Sequence, residues 1–229
     1  GEEIARSLSK DYNVILNGRD NSRLISVRNE CELGRHIIWN YDLSKTSDVE
    51  LSLQELLVTN QVLISYFVHC AGFMKMYPIK MLNNDLLSES FNVNVISAAL
   101  IMKTLVSKKY NNKELKSAVF ISSNISNFGA KAFSAYGSAK ASRDGLMRSL
   151  AVELAPEVRV NSVLPGGVRT RMTENMYQNT EVVHRMAATY PLGLGDVTEI
   201  RDAVLFLLSD KARWITGQSF IVDGGKTAY

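Results

Sequence analysis

The chain has 229 residues, of which 46% are hydrophobic and 21% are charged, and its formal net charge is +3. These values are typical of a globular protein with one sizeable core, so we expect residues 1–229 to form a single domain. The small and scattered positive charge argues against nucleic acid or a membrane surface as a partner. The two cysteines and three histidines form neither a disulfide framework nor a metal-ligand pattern, so we predict no metal site.

The ends of the chain carry no recognisable targeting or membrane signal. No apolar run reaches the length of a membrane-spanning helix and no signal peptide is visible, so a cytoplasmic protein is expected. Gly1 leads directly into a helical pattern with no strand before it. We therefore expect that the natural N-terminus, with any signal it carries, precedes the given sequence.

Short strand-like runs alternate with longer helical patterns. In chain order we predict helix 2–9, strands 13–17 and 36–41, helix 47–58, strand 63–69, helix 86–109, strand 117–122, helix 135–154, strand 159–164, helix 198–209 and strand 219–222. Several of these strands are continuously apolar, which is typical of a parallel sheet covered by helices on both faces. The alternation predicts a doubly wound α/β sheet of the Rossmann type, in which ligands bind at the carboxyl ends of the strands.

A tyrosine and a lysine share one face of the predicted helix 135–154. Tyr136 and Lys140 are four residues apart, which places their side chains next to each other. A neighbouring ammonium group lowers the pKa of a phenol. A tyrosine tuned in this way can exchange a proton with a carbonyl or alcohol oxygen near neutral pH. The spacing alone is common in proteins and is weak evidence by itself.

Two polar residues upstream add to this pair. Ser123 follows the predicted strand 117–122, so its hydroxyl could hold a substrate oxygen in the crevice. Asn94 lies in the predicted helix 86–109, and its amide could hold a water molecule behind the lysine in a proton relay. Each residue has a simpler explanation as well: Ser123 could cap a turn, and Asn94 could be a buried polar side chain with local partners.

Asn94, Ser123, Tyr136 and Lys140 have the order and spacing of the catalytic tetrad of the short-chain dehydrogenase/reductase family. The resemblance covers essentially the whole chain. Within the family, the chain resembles 3-oxoacyl-(acyl-carrier-protein) reductases in particular. Further segments resemble family motifs in the same order: His69-Cys70-Ala71-Gly72, residues 159–166 with Val168 and Thr170, Tyr190-Pro191-Leu192-Gly193, and residues 215–225.

The resemblance implies an oxidoreductase that transfers hydride between a nicotinamide dinucleotide and a carbonyl or secondary alcohol. The substrate would be a carrier-linked 3-oxoacyl group or, alternatively, a sugar or another small ketone. A non-catalytic dinucleotide sensor is the alternative from another class, and the complete tetrad argues against it. Related enoyl reductases space their tyrosine and lysine more widely, which favours carbonyl reduction. The family also implies a homotetramer, with a dimer as second choice, and a substrate loop at residues 171–190.

The resemblance also implies where the cofactor is bound. Besides Tyr136 and Lys140, the matching positions are Gly1, Arg19, Asp42, Leu43, Ala71, Gly72, Pro165, Gly166, Val168 and Thr170. The chain departs from the family pattern in two places. Gly1 matches only the last glycine of the phosphate-binding turn, so we expect the first strand and most of that turn to be absent from the given sequence. Cys70 stands where the family has the second asparagine of its Asn-Asn-Ala-Gly motif.

The end of the predicted strand 13–17 indicates which dinucleotide is bound. An acidic residue at this position would bond the ribose 2′-hydroxyl of NAD, whereas an arginine suits the 2′-phosphate of NADP. Here Gly18 is followed by Arg19. Asp20 comes one position later, where we expect it to cap the next helix. The sequence therefore predicts NADP(H) in preference to NAD(H).

Overall fold

The protein is described by a computed structural model that covers residues 1–32 and 34–228, except for the side chain of Met176. The strands are β1 (Ile15–Gly18), β2 (Ile37–Asn40), β3 (Tyr66–His69), β4 (Ser117–Ile121), β5 (Arg159–Pro165) and β6 (Ser219–Val222). The α-helices are α1 (Glu2–Leu8), α2 (Asn21–Asn29), α3 (Val49–Asn60), α4 (Asn84–Phe91), α5 (Ser97–Leu105), α6 (Lys108–Asn111), α7 (Ser134–Glu153), α8 (Glu174–Tyr177), α9 (Thr180–Ala187) and α10 (Val197–Leu208). A π-helical turn (Asn92–Ile96) joins α4 to α5, and 3₁₀ turns span Ile79–Met81, Asn124–Ser126 and Asp210–Ala212.

Every strand pairing is parallel. Strand β1 pairs with β2, while β3, β4, β5 and β6 pair in that order. Within the described part of the chain these two groups of strands are not hydrogen-bonded to each other. With helices on both faces, the architecture confirms the predicted doubly wound parallel sheet.

Strand β4 shows how the sheet is buried on both sides. Its side chains alternate between the faces because successive residues of a strand point in opposite directions. Ala118 and Phe120 pack into the cluster formed with α3, α5 and α7. Val119 packs into the cluster formed with α1 and α10. All three are completely buried, which explains why the strand is continuously apolar.

Strand β3 begins at Tyr66, later than the predicted strand 63–69. The reason is the side chain of Asn111 at the end of α6. Its Oδ1 accepts from the backbone N–H of Ile64 at 2.6 Å, and its Nδ2 donates to the carbonyl oxygen of Ile64 at 2.9 Å. Both backbone groups of Ile64 are therefore satisfied by a side chain and not by a neighbouring strand.

The prediction of one continuous helix over 86–109 is wrong, because the structure divides this range into α4, the π-helical turn, α5 and α6. At the turn, the Asn94 side chain donates to the carbonyl oxygen of Ser90 at 2.9 Å, and the Asn94 carbonyl accepts from Arg143 at 2.6 Å. The helix expected after Asp20 is α2, and Asp20 caps it by accepting from the N–H of Arg23 at 3.1 Å. No helix in the described ranges is long and apolar enough to cross a membrane.

Gly166, directly after β5, lies where a side chain has no room. A Cβ atom there would lie 2.7 Å from Asp223 Cβ, 2.8 Å from its Cα and 2.9 Å from Tyr190 Cε1. Since backbone must move to relieve such overlap, we expect Gly166→Ala to lower the free energy of unfolding by about 1–3 kcal/mol, measured by urea denaturation. Gly129→Ala is the control, because its Cβ would meet no atom within 4 Å. Equal stabilities of the two variants would contradict this packing.

Candidate active site

The predicted site residues follow the parallel strands at their carboxyl ends. Gly72 comes after β3, Ser123 after β4 and Gly166 after β5. Arg19 and Asp42 follow β1 and β2. Because the carboxyl ends of parallel strands lie along one edge of a sheet, the residues that follow β3, β4 and β5 come together at this edge.

Tyr136 is held in the interior at this edge. Its side chain is buried, and the Nζ atom of Lys140 lies 5.4 Å from the centroid of its ring. The Ser123 hydroxyl is near enough to the phenol to favour its ionised form, which lowers the pKa of Tyr136. Ser123 also accepts from the backbone N–H of Ile125 at 3.3 Å. Ser123 therefore caps a turn, as its simpler explanation required, and still reaches the tyrosine.

The protonation of Tyr136 is set by opposing effects. Burial raises the pKa of its phenol above the usual value, because the charged form loses solvation. The Ser123 hydroxyl and the positive charge of Arg143 act against this shift and lower the pKa. Arg143 was not among the residues singled out from the sequence.

Lys140 lies near the phenol, and its ammonium group has more hydrogen-bond donors than it has partners among the described residues. Its Nζ donates to the backbone oxygen of Ile121 at 2.9 Å, the one partner it has among the described residues. An ammonium group has three donors. Burial, followed by the charge of Arg143, holds the pKa of Lys140 well below its usual range. The remaining donors point to a ligand at this edge of the sheet.

Asn94 is completely buried, and both sides of its amide are bonded. Its Nδ2 donates to the carbonyl oxygens of Phe73 at 3.0 Å and Ser90 at 2.9 Å. Its Oδ1 accepts from Arg143 Nη2 at 3.3 Å. These are the local partners that its simpler explanation required, and a role in a proton relay stays a prediction.

Four of the cofactor residues predicted from the resemblance form two groups. Gly1 and Gly72 face other residues of the site at ordinary contact distance: a Cβ on Gly1 would lie 3.4 Å from Cys70 Cβ, and a Cβ on Gly72 would lie 3.6 Å from Lys140 Nζ. Leu43 and Val168, in contrast, are core residues with 6% and 7% of their surface exposed. The side chains of this second group pack inside the protein, which leaves only their backbone for a cofactor.

Three further predicted residues lie nearer the surface. Asp42 Oδ1 accepts from the backbone N–H of Ser44 at 3.0 Å, so it begins a turn. The N–H of Thr170 donates to Thr173 Oγ1 at 2.9 Å. Arg19 is exposed. The structure brings the four tetrad residues together, and Asp42, Thr170 and Arg19 lie outside this group.

Arg143 is the residue that sequence analysis missed. It comes three residues after Lys140 and seven after Tyr136, so all three share one face of α7. Its side chain is 0% exposed. Burial lowers the pKa of its guanidinium to about 10, which leaves it charged at neutral pH. A second cationic residue, at helical spacing from Tyr136 and Lys140, was the available signal.

Comparison with known proteins decides the family. Residues 1–227 match the family described as "Enoyl-(Acyl carrier protein) reductase". The chain belongs to the short-chain dehydrogenase/reductase family. The resemblance carried by the tetrad and the ordered motifs is thereby confirmed.

Relatives with comparable sequence identity to this chain carry different named activities. The vibriobactin-specific 2,3-dihydro-2,3-dihydroxybenzoate dehydrogenase of Vibrio cholerae is 34% identical over 172 residues, which are 71% of this chain and 65% of that protein. The 3-oxoacyl-(acyl-carrier-protein) reductase of Buchnera aphidicola is 28% identical over 228 residues, with 98% of this chain and 91% of that protein covered. Both are oxidoreductases by name, but their substrates differ.

A solved structure agrees with the fold. The chain is similar to a 4-hydroxyisoleucine dehydrogenase complexed with NADH, with a TM-score of 0.92 and 25% identity, covering 100% of this chain and 94% of that one. The cofactor named for that structure is a nicotinamide dinucleotide. The residues present fit it, because Lys140 has unused buried donors beside Gly72, where the absence of a Cβ leaves room for close approach.

The unused donors of Lys140 generate a test. We expect Lys140→Met to raise the Kd for NADPH by at least about tenfold, since a charge-assisted hydrogen bond contributes about 1.5–3 kcal/mol. Fluorescence titration of the full-length protein measures this without a substrate. Lys103→Met, which removes an exposed lysine on α5, should leave the Kd unchanged. An unaltered Kd in the Lys140 variant would remove this residue from the cofactor site.

Proposed function

We propose that the protein is an NADP(H)-dependent oxidoreductase that interconverts a carbonyl and a secondary alcohol, with Tyr136 as the acid and base. The observation that carries this proposal is the buried Tyr136 phenol, with Lys140 Nζ 5.4 Å from the centroid of its ring and the Ser123 hydroxyl near enough to lower its pKa. The bound nicotinamide supplies or accepts the hydride. The residues of the chain then manage the proton on the substrate oxygen.

Each residue of the tetrad has a distinct part in this chemistry. Tyr136 donates its proton to the carbonyl oxygen during reduction and takes it back during oxidation. Ser123 orients the same oxygen through its hydroxyl. Lys140 holds the cofactor and supports the ionised phenol, while Asn94 maintains the backbone behind it. A non-catalytic sensor would need the cofactor site but would gain nothing from a buried acid, so we favour the enzyme.

For the substrate we propose a carrier-linked 3-oxoacyl group, with a sugar or another small ketone as the alternative. The four-residue spacing of Tyr136 and Lys140 supports carbonyl reduction, as does the named activity of the Buchnera relative. Residues 171–190, which include α8 and α9, are the proposed substrate loop. Met172 Cε lies 3.4 Å from the Cβ position of Gly72, and Met186 Cε lies 3.0 Å from that of Gly167. These flexible apolar side chains suit an acyl chain.

The charges near this loop are only partly available to an acidic carrier. Arg169 forms an ion pair with Glu174, with Nη2 and Oε1 2.7 Å apart. Arg171 is exposed. Recognition of the carrier would therefore depend on Arg171 more than on Arg169.

The central test of the proposed function is Tyr136→Phe. We expect the turnover of NADPH with a 3-oxoacyl thioester to fall at least about 100-fold, because positioned proton transfer contributes that much. The Kd for NADPH should hardly change. Tyr110→Phe, on α6, is the matched control. A Tyr136 variant with more than about a tenth of the parent activity would exclude the phenol from this role.

The same assay with other substrates separates the alternatives. Reduction of small ketones but not of the thioester would favour the sugar or small-ketone alternative. Reduction of a 2-enoyl thioester alone would correspond to the description of the matched family and would overturn the carbonyl assignment. Binding of NADPH with no turnover across a broad panel would support the sensor.

The choice of NADP(H) depends on the turn after β1. Arg19 is exposed there and takes no part in the ion pairs of the described residues. Asp20 is engaged in capping α2 through the N–H of Arg23, so it is held away from the acceptor role that NAD would need. This arrangement supports an arginine contact with the 2′-phosphate.

Arg19→Ala tests this choice of cofactor. We expect the Kd for NADPH to rise about tenfold to a hundredfold, because a charge-assisted bond to the phosphate is lost, while the Kd for NADH stays nearly constant. Both constants should be measured at one salt concentration. Arg28→Ala, an exposed arginine at the far end of α2, is the control. If the parent binds NADH as tightly as NADPH, the NADP assignment is wrong.

A further inference from the structure

The guanidinium of Arg143 is fully buried, and each of its nitrogens has an acceptor. Nε donates to the backbone oxygen of Asn94 at 2.6 Å, and Nη2 donates to Ala71 O at 3.0 Å and to Asn94 Oδ1 at 3.3 Å. Nη1 donates to Ile121 O at 2.5 Å and to His69 O at 3.5 Å. These five contacts match the five N–H donors that an arginine has.

The acceptors belong to separate parts of the fold that meet behind Tyr136. His69 and Ala71 lie at the carboxyl end of β3, Ile121 ends β4, and Asn94 lies in the π-helical turn. The Ile121 oxygen also accepts from Lys140 Nζ at 2.9 Å. Arg143 and Lys140 are therefore joined through one carbonyl group, and the position of one affects the other.

The charge of Arg143 has no carboxylate in contact with it. The ion pairs of the described chain do not include Arg143. Asp144 is its neighbour on α7, but neither carboxylate oxygen of Asp144 has a hydrogen-bond partner among the described residues. Carbonyl dipoles thus solvate the guanidinium without neutralising it, and its field extends to nearby groups.

We propose that Arg143 is a positioning residue for the reaction at Tyr136: its guanidinium ties the ends of β3 and β4 to the Asn94 turn and provides a fixed positive charge behind the Tyr136–Lys140 pair. This inference rests on the proposed function. The ionisable groups that face the pair, from α7 and from the end of β3, are Arg143, Asp144, His69 and Cys70. Burial and the two cations hold the pKa of His69 well below its usual range, so it adds no charge at neutral pH.

The charge has a consequence with a definite sign. Arg143 lowers the pKa of both Tyr136 and Lys140. Removing a fixed positive charge makes every proton easier to bind, so both apparent pKa values of the coupled pair must rise. A residue that only filled space or held the backbone together would not cause such a shift.

Arg143→Met is the first variant, with Arg159→Met as its control. Arg159 also donates to backbone carbonyls, those of Leu207, Leu208 and Ser209, but it lies at the start of β5, at the opposite edge of the sheet. We expect Arg143→Met to move the pH profile of alcohol oxidation upward by about one pH unit or more, whereas Arg159→Met should leave the profile in place. Coincident profiles for the parent and the Arg143 variant would overturn the proposal.

Two further measurements keep the test decisive. Ionisation of Tyr136, followed by ultraviolet difference titration against Tyr136→Phe, needs no substrate and should shift upward in the same way. A parent without turnover whose Tyr136 titration still shifts on Arg143→Met would refute the proposed function while supporting the role of Arg143.

If Arg143→Met does not fold, Arg143→Lys is tested in its place. A lysine has only three N–H donors, so it cannot serve the five acceptors that surround Arg143. We then expect kcat to fall at least about tenfold with KM for NADPH little changed, and a parental kcat would overturn the proposal.

Discussion

The backbone carbonyl of Ile121, at the end of β4, accepts hydrogen bonds from two buried cations, and the site is built around this point. Lys140 and Arg143 reach it from one face of α7 at 2.9 and 2.5 Å. Burying two positive charges in a protein interior is costly unless dipoles or counter-charges replace the lost water. Here the carbonyl ends of parallel strands and a π-helical turn replace it. The same arrangement places positive charge next to Tyr136, where an ionised phenol would need it.

The opposing effects on Tyr136 show what the site requires of its surroundings. Burial shields the phenol from water but raises its pKa, which alone would make the tyrosine a poor base at neutral pH. Ser123 and Arg143 act against that shift, and they come from different parts of the fold, the turn after β4 and the helix α7. The doubly wound sheet is what brings these elements to the same edge.

Local patterns in the sequence were sufficient to place the six strands to within a few residues, whereas the tetrad as a whole came from the family resemblance. The alternation of strand-like runs with helical patterns predicted the parallel sheet, and the spacing of Tyr136 and Lys140 predicted their common face on α7. The contacts that cross between elements were not predictable in this way. The shortening of β3 depends on Asn111, which is 47 residues away from Ile64, and the break in helix 86–109 involves Arg143, which is 49 residues away from Asn94. Helical periodicity places Arg143 beside Lys140, but only the fold reveals that its acceptors lie on the strands.

We propose that hydride from the cofactor reaches the carbonyl carbon of the substrate while Tyr136 protonates the carbonyl oxygen. The most direct measurement uses NADPH carrying deuterium at the transferable position of the nicotinamide, with a 3-oxoacyl thioester or small ketones as acceptors and mass spectrometry of the products. We expect one deuterium on the carbon that bears the new hydroxyl group, and at most about a hundredth of this product with Tyr136→Phe in the same time. Deuterium found only in a saturated product from a 2-enoyl thioester, or in no product at all, would contradict it.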